Sequence, residues 1–272
     1  MNFYDQHFPH LKISVKRTHE LWITLNNPEQ MNAITIPMID SLTKVLRFAD
    51  FDRLIRVIVL TGEGKSFCAG GDIKAMEEQS GMFEGESNEL RMRYMYGIQQ
   101  IPKCIEEIST PLIALVNGAA IGAGCDLAMM CDLRVGGSKS KFGETFTRMG
   151  LVPGDGGTFF LQRVVGYTKA MQMFLTAEII EGTRALEFGL LNFLFEDSLV
   201  FSETEKLAQV IASQAPIAQA MTKKAMKISY LNDLQTSLDT LATFQGISQR
   251  TQDHFEALAA FREKRVAAFK GE

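Results

Sequence analysis

Residues 111–135 read PLIALVNGAAIGAGCDLAMMCDLRV, in which a short apolar run leads into a glycine-rich step and a second apolar run. The pattern predicts a buried strand at 111–116, a helix at 122–130 and another short strand at 132–135. An earlier β-branched run at 56–61 is also followed by glycines, at 62 and 64. Strand, glycine-rich joint and helix therefore recur along the chain, which favours an α/β fold with a largely parallel sheet.

The flanking segments extend this plan on the N-terminal side. Residues 11–15 and 21–25 alternate around a polar step and predict a β-hairpin. A helix is predicted from Pro37 to about Phe48. The acidic, glycine-bearing stretch at 76–88 predicts a mobile loop, and the helix after it is expected to break at Pro102.

The C-terminal part carries helical patterns alone, at 202–213, 216–229, 233–251 and 253–269. We therefore expect an α/β core over residues 1–198 and a helical region over 199–272 that packs on it. These runs contain more apolar residues than a thin cover needs, which predicts self-association: Leu231, Leu234, Leu238, Leu241, Phe244, Phe255, Leu258 and Phe261.

Composition excludes several classes of protein. The 272 residues are 46% hydrophobic and 22% charged, with a net charge of −4, so neither nucleic acid nor a membrane is an expected partner. Four cysteines without a CxxC spacing and no leader-like start predict a cytoplasmic protein with reduced thiols. The four histidines lie near the two ends, which argues against Ser-His, Cys-His or zinc catalysis, and no metal is expected.

Two glycine motifs do not fit nucleotide binding. Gly64-Lys65-Ser66 lacks the glycine that a P-loop needs five residues earlier, where Val59 stands. The GxxxGxG spacing of the glycines at 118–124 is typical of short-chain dehydrogenases, but the YxxxK that accompanies it there is missing. What remains is SFCAGGDIK at 66–74 and NGAAIGAGCDL at 117–127, each after a strand. Two such joints can direct backbone N–H groups at one oxygen and form an oxyanion hole.

Five segments resemble the crotonase (enoyl-CoA hydratase/isomerase) superfamily: LNNPEQMNAI, FCAGGDIK, VNGAAIGAGCDLAMMCDLRV, FGETFTRMGLVPGDGGTFFLQRVVG and FREKRVAAF. The resemblance implies a spiral of ββα turns with a helical C-terminal trimerisation region, assembled as a trimer or hexamer. It implies a coenzyme A thioester as substrate and no separate cofactor.

The resemblance also assigns binding residues. The N–H groups of Ala69 and Ala123 are expected to hold the thioester carbonyl, residues 69–73 the adenine, and Lys264 a phosphate. The predicted substrate-binding set is Ala33, Gly70, Gly71, Asp72, Ile73, Gly122, Phe146, Pro153, Gly154 and Lys264.

The carboxylates depart from the hydratase pattern. Asp126 lies three residues after Ala123 on the same helix face, where the family's hydratases carry glutamate, and it is the first candidate acid/base. The position of the second hydratase glutamate is Phe146. Asp155 or Glu144 could replace it, and the sequence leaves that choice open. Asp126 could also serve as a first-turn helix residue, and Asp155 as a turn former.

We therefore expect an enolate-forming enzyme that favours double-bond isomerisation over hydration. The alternatives are a thioester hydrolase on the same fold and a non-catalytic acyl-CoA-binding or RNA-binding relative. The negative net charge argues against RNA.

Overall fold

The structure is a computed structural model that describes residues 3–272. Its ten strands in this range are β1 (Leu11–Val15), β2 (Glu20–Leu25), β3 (Val57–Gly62), β4 (Ser66–Cys68), β5 (Leu112–Val116), β6 (Ala119–Ile121), β7 (Leu133–Gly136), β8 (Lys141–Gly143), β9 (Ile179–Glu181) and β10 (Phe193–Leu194). They form one sheet of six strands and one of four.

The six-stranded sheet has the order β1-β2-β3-β5-β7-β10. Strand β1 is antiparallel to β2 with Leu11 opposite Leu25, which confirms the predicted hairpin. The remaining neighbours pair in parallel. Strands β3 and β5 are buried along their whole length, as expected of parallel strands covered on both faces.

The helices in the described range are α1 (Ile36–Phe51), α2 (Ile73–Glu77), α3 (Ser87–Tyr96), α4 (Gln100–Glu107), α5 (Ala123–Met130), α6 (Gly157–Val165), α7 (Tyr167–Thr176), α8 (Gly182–Phe188), α9 (Val200–Ala212), α10 (Pro216–Leu231), α11 (Leu234–Ser248) and α12 (Gln252–Glu263). The chain adds one strand to each sheet and then helices in successive turns: β3-β4-α2, β5-β6-α5 and β7-β8-α6. This arrangement confirms the predicted α/β spiral of ββα turns.

Three sequence predictions about helices are wrong in detail. The stretch at 76–88, predicted as a loop, contains the end of α2, a 3-10 turn and the start of α3. The helix break lies at Gly97 rather than at Pro102, because Pro102 occupies the first turn of α4, where no backbone N–H is needed. Helix α12 ends at Glu263 and not near Phe269.

The C-terminal helices contact the core through α9 and α10. Helix α9 packs Val200, Ala208 and Ala212 on the outer face of the six-stranded sheet. Lys223 of α10 pairs with Asp132 at 2.7 Å, and Lys227 donates to the carbonyls at the end of α4. Most of the apolar residues that predicted self-association are exposed in this single chain: Leu231, Leu234, Leu238, Leu241, Phe255, Leu258 and Phe261. The division at residue 198 and the oligomeric state stay predictions.

No helix within residues 3–272 is long and apolar enough to cross a bilayer.

Candidate functional site

The two glycine-rich joints meet at the ends of β4 and β6, which are neighbouring strands of the four-stranded sheet. Gly122 precedes α5 with φ 54°, a left-handed conformation that favours glycine, and its N–H donates to the carbonyl of Gly143. Gly70 has φ 94°, and a Cβ there would lie 2.7 Å from the Ile121 carbonyl oxygen and 3.4 Å from the Ala123 nitrogen. A side chain at Gly70 would therefore separate the two joints.

One of the two predicted oxyanion donors is already occupied. The N–H of Ala69 donates to the carbonyl of Met31 at 3.0 Å, which corrects the expectation that it binds substrate. The N–H of Ala123, at the start of α5, donates to no acceptor within residues 3–272. The same holds for Gly71, two residues after Ala69. The free donors at the joints are thus on Ala123 and Gly71.

Three carboxyl groups are buried together beside these joints. Asp126 is on α5, Glu144 follows β8, and Asp155 precedes α6; Asp126 and Glu144 are 0% exposed and Asp155 is 3% exposed. A Cβ at Gly157 would overlap the Asp126 carboxyl, so the start of α6 packs directly on it. The structure brings together all three predicted catalytic acids.

Besides one another, these acids have the Cys125 thiol within hydrogen-bonding reach, beside Glu144. None of their six oxygens receives a hydrogen bond from an N–H or hydroxyl group of another residue in the range 3–272. Asp126 lies within hydrogen-bonding reach of both Asp155 and Glu144, and a bond between two carboxyls exists only when one holds a proton. Asp126 is therefore the middle member of a proton-sharing row, which we call the carboxyl cluster.

Burial sets the electrostatics of the carboxyl cluster. It raises the pKa of Asp126 well above its ordinary value, and the charges of Glu144 and Asp155 raise it further. Burial raises the pKa of Glu144 to about 7 and also raises that of Asp155. The three groups titrate together, so near neutral pH the cluster contains both protonated and ionised carboxyls.

Phe146 lies beside the joint at the start of α5. It begins a 3-10 turn, is half-buried, and its ring is 3.8 Å from where a Cβ of Gly122 would be. Met76 and Phe83 cover Gly71 from the other side. The free N–H groups are thus bordered by apolar side chains.

The other predicted binding residues divide into two groups. Ala33 is buried, Pro153 and Gly154 are half-buried, and Asp72 caps α2 by accepting from the N–H of Ala75. Ile73 is exposed, as is Lys264, which directly follows the last residue of α12. The Lys264 side chain has no hydrogen bond or ion pair to a predicted site residue in the described part of the chain.

Several residues at the site were missed by the sequence analysis. Gly157 makes room for Asp126, and the Gly-Gly pair after Asp155 was the available signal. Asn32 is fully buried, and its side-chain amide donates to the carbonyls of Glu63, Ser66 and Phe67. These bonds fix the loop that also contains Met31, whose carbonyl accepts from the N–H of Ala69. Two buried thiols, Cys68 and Cys125, lie next to the acids.

The three carboxyls are not arranged as a metal site, since no group of three or more His, Cys, Asp or Glu side chains in residues 3–272 could hold an ion.

The chain is similar to known proteins over most of its length. The family model for enoyl-CoA hydratase/isomerase matches residues 20–272. A short-chain-enoyl-CoA hydratase of Clostridium acetobutylicum is 34% identical over 252 residues, covering 91% of this chain and 93% of that relative. The 1,2-epoxyphenylacetyl-CoA isomerase of Escherichia coli K12 is 31% identical over 249 residues, covering 92% and 94%. The crystal structure of an enoyl-CoA hydratase from Bacillus anthracis matches with a TM-score of 0.90 at 31% identity, covering 97% and 100%.

Proposed function

Because the chain belongs to the enoyl-CoA hydratase/isomerase family, as the sequence resemblance predicted, we propose that it moves the double bond of an unsaturated acyl-CoA in preference to adding water. The observation that carries this proposal is the buried carboxyl cluster, which contains acid and base together beside two free N–H groups. Isomerisation needs just these parts, a proton donor, a proton acceptor and a stabilised enolate.

The thioester carbonyl binds the N–H groups of Gly71 and Ala123. Both are unpaired in the described chain, whereas Ala69 donates to Met31. Two donors aimed at the developing enolate oxygen stabilise it more than the ground-state carbonyl. Asp126, three residues beyond Ala123, is then the acid/base nearest the carbon next to that carbonyl.

The proton transfers balance within the cluster. A carboxylate takes the proton from C2 of a 3-enoyl thioester, and the C–H electron pair moves toward the carbonyl oxygen. A carboxylic acid of the cluster then protonates C4, and the double bond moves from C3–C4 to C2–C3. The proton gained at one carboxyl passes through Asp126 to the carboxyl that gave one up, which restores the starting state.

Water addition is disfavoured for two physical reasons. Phe146 occupies the position where the family's hydratases place a second glutamate, and its apolar ring borders the free N–H groups. The carboxyl cluster is almost without exposed surface, so a water molecule has little access to it. A buried site also protects the transferred proton from exchange.

The chain binds coenzyme A as part of the substrate, through residues 69–73 and Lys264, and uses no separate cofactor. Exposed apolar residues of α10–α12 support a homotrimer or hexamer. The four unpaired buried cysteines support a cytoplasmic location.

The test is to incubate the purified protein with a 3-enoyl-CoA and, separately, with a 2-enoyl-CoA and to follow both by mass spectrometry. We expect the first to change double-bond position without a change of mass. Hydration of the second at about 10 s⁻¹ or more without isomerisation would overturn the proposal. Free coenzyme A would indicate a hydrolase, and no reaction would indicate a binding protein.

The same assay tests the role of Asp126. We expect Asp126→Asn to lower kcat by about 10²–10⁴, because its neutral amide cannot exchange the proton. The matched control is Asp40→Asn, at an exposed position of α1. Full activity of Asp126→Asn would remove it from the mechanism.

A further inference from the structure

The loop that carries Asp155 is held by two residues from the junction of α3 and α4. The side-chain Nε2 of Gln99 donates to the carbonyl of Gly154 at 2.8 Å. The ring of Tyr94 lies close to the same residue, since a Cβ on Gly154 would be 2.9 Å from its Cε1 and 3.2 Å from its Cδ1. Gly154 immediately precedes Asp155, so both contacts act on the peptide that leads into this carboxyl.

The two contacts belong to one local structure. The N–H of Gln99 donates to the carbonyl of Tyr94 at 3.1 Å, so the chain folds back on itself between α3 and α4. Gly97 lies inside this fold, where its N–H donates to Arg93. Both side chains are half-buried, and Tyr94 packs against the hydrophobic core.

The loop has no comparable support on its own side. Gly154 and Gly156 flank Asp155 without side chains, and Gly156 has φ 118°. The Asp155 carboxyl receives no hydrogen bond from an N–H or hydroxyl group of any other residue in the range 3–272. Apart from the proton that it shares with Asp126, the position of the Asp155 carboxyl therefore depends on what holds the backbone beside it.

We propose that Gln99, supported by Tyr94, is a positioning residue that holds Asp155 in the carboxyl cluster for proton transfer. This inference rests on the proposed function only in taking Asp155 as a group that exchanges protons. The charge of Asp155, after burial, also raises the pKa of Tyr94, which agrees with their proximity. A displacement of about 1 Å in a reacting group can lower a rate by about 10².

The test is a double-mutant cycle of Gln99→Met and Asp155→Asn. Methionine keeps the length of glutamine and removes the hydrogen bond to Gly154. We expect Gln99→Met to lower kcat about 10- to 100-fold with KM changed less than about 2-fold. In the Asp155→Asn background it should have almost no further effect, because a residue that acts through Asp155 has nothing left to position.

The matched control is Gln100→Met. Gln100 is the next residue, and its Nε2 also donates to a backbone carbonyl at 2.8 Å, but that carbonyl belongs to Met95 and not to the Asp155 loop. We expect its kcat to be unchanged. Gly154→Ala tests the contact between Tyr94 and the loop from the other side. Its methyl group should displace Tyr94 and lower kcat by about as much as Gln99→Met does.

The cycle is measured on whichever acyl-CoA reaction the wild type performs fastest. Hydration instead of isomerisation would then overturn the proposed function and leave this inference intact. Additive effects of the two substitutions, or equal losses in Gln99→Met and Gln100→Met, would overturn the inference. So would full activity of Asp155→Asn.

Discussion

Replacing Glu144 with glutamine should stabilise the folded protein at alkaline pH while impairing its chemistry. Burial raises the pKa of Glu144 from 4.5 to about 7, so the folded state favours the protonated form. A group with a raised folded-state pKa contributes stability that is fully present below its unfolded pKa. That contribution is lost as the pH rises through the folded pKa, here between about 4.5 and 7.

The size of this effect follows from the shift. One pKa unit corresponds to 1.36 kcal/mol, so a rise from 4.5 to about 7 is worth about 3 kcal/mol when both states are ionised. Between pH 5 and pH 8.5 the wild type should lose about 2–3 kcal/mol through this group. Glu144→Gln carries no ionisable group there and should escape that loss.

The measurement is urea unfolding followed by circular dichroism at pH 5 and pH 8.5, with one protein concentration throughout. The free energy of unfolding of the variant minus that of the wild type should be larger at pH 8.5 than at pH 5 by about 2–3 kcal/mol, so that the variant gains stability relative to the wild type as the pH rises. Glu187→Gln, at an exposed position of α8, is the matched control and should show no such difference. An identical difference between Glu144→Gln and wild type at both pH values would refute the reasoning.

Three further predictions follow from the site. Gly157→Ala should lower kcat by about 10² or more, because its methyl group overlaps the Asp126 carboxyl; a fold-intact variant with near wild-type kcat would contradict the packing. Ala123→Pro removes one oxyanion donor at the first position of a helix, which accepts proline, and should lower kcat by about 10²–10³. Circular dichroism checks that the variant folds, and full turnover of a folded variant would show that this N–H is not part of the oxyanion hole. The acidic limb of the pH–kcat profile should lie near 7, because protonation of Glu144 with its raised pKa removes a base from the cluster, and a limb at 4 to 5 would show that the reacting carboxyls are not buried.

The sequence was a good guide to the larger elements because hydrophobic burial leaves a clear pattern. The buried strands β3 and β5, the hairpin and the helical C-terminal part were all predicted. The second sheet was not, since β4, β6 and β8 have three residues each and too short a run to show a period. The break at Gly97 was misplaced at Pro102 because proline is tolerated in the first turn of a helix.

The site was predicted as a set of residues but not as an arrangement. Asp126 was predicted as the first acid/base, and Asp155 and Glu144 were alternatives for the second. That all three meet depends on three separate elements, which local spacing cannot report. The occupied N–H of Ala69 depends on Met31, 38 positions earlier in the chain. A hydrogen bond at that separation leaves no trace in a motif.

The four buried cysteines can serve as natural probes of local opening of the structure. Burial raises the pKa of Cys68 and Cys131 to about 12, that of Cys104 to about 11, and that of Cys125 well above its ordinary value. Reagents that attack thiolates therefore react only during moments when the chain exposes a sulfur. Cys68 and Cys125 adjoin the acids, whereas Cys104 is on α4. The alkylation rate of each cysteine, measured with and without an acyl-CoA, would report how often the part of the interior around that cysteine opens to solvent. No label has to be engineered into the chain.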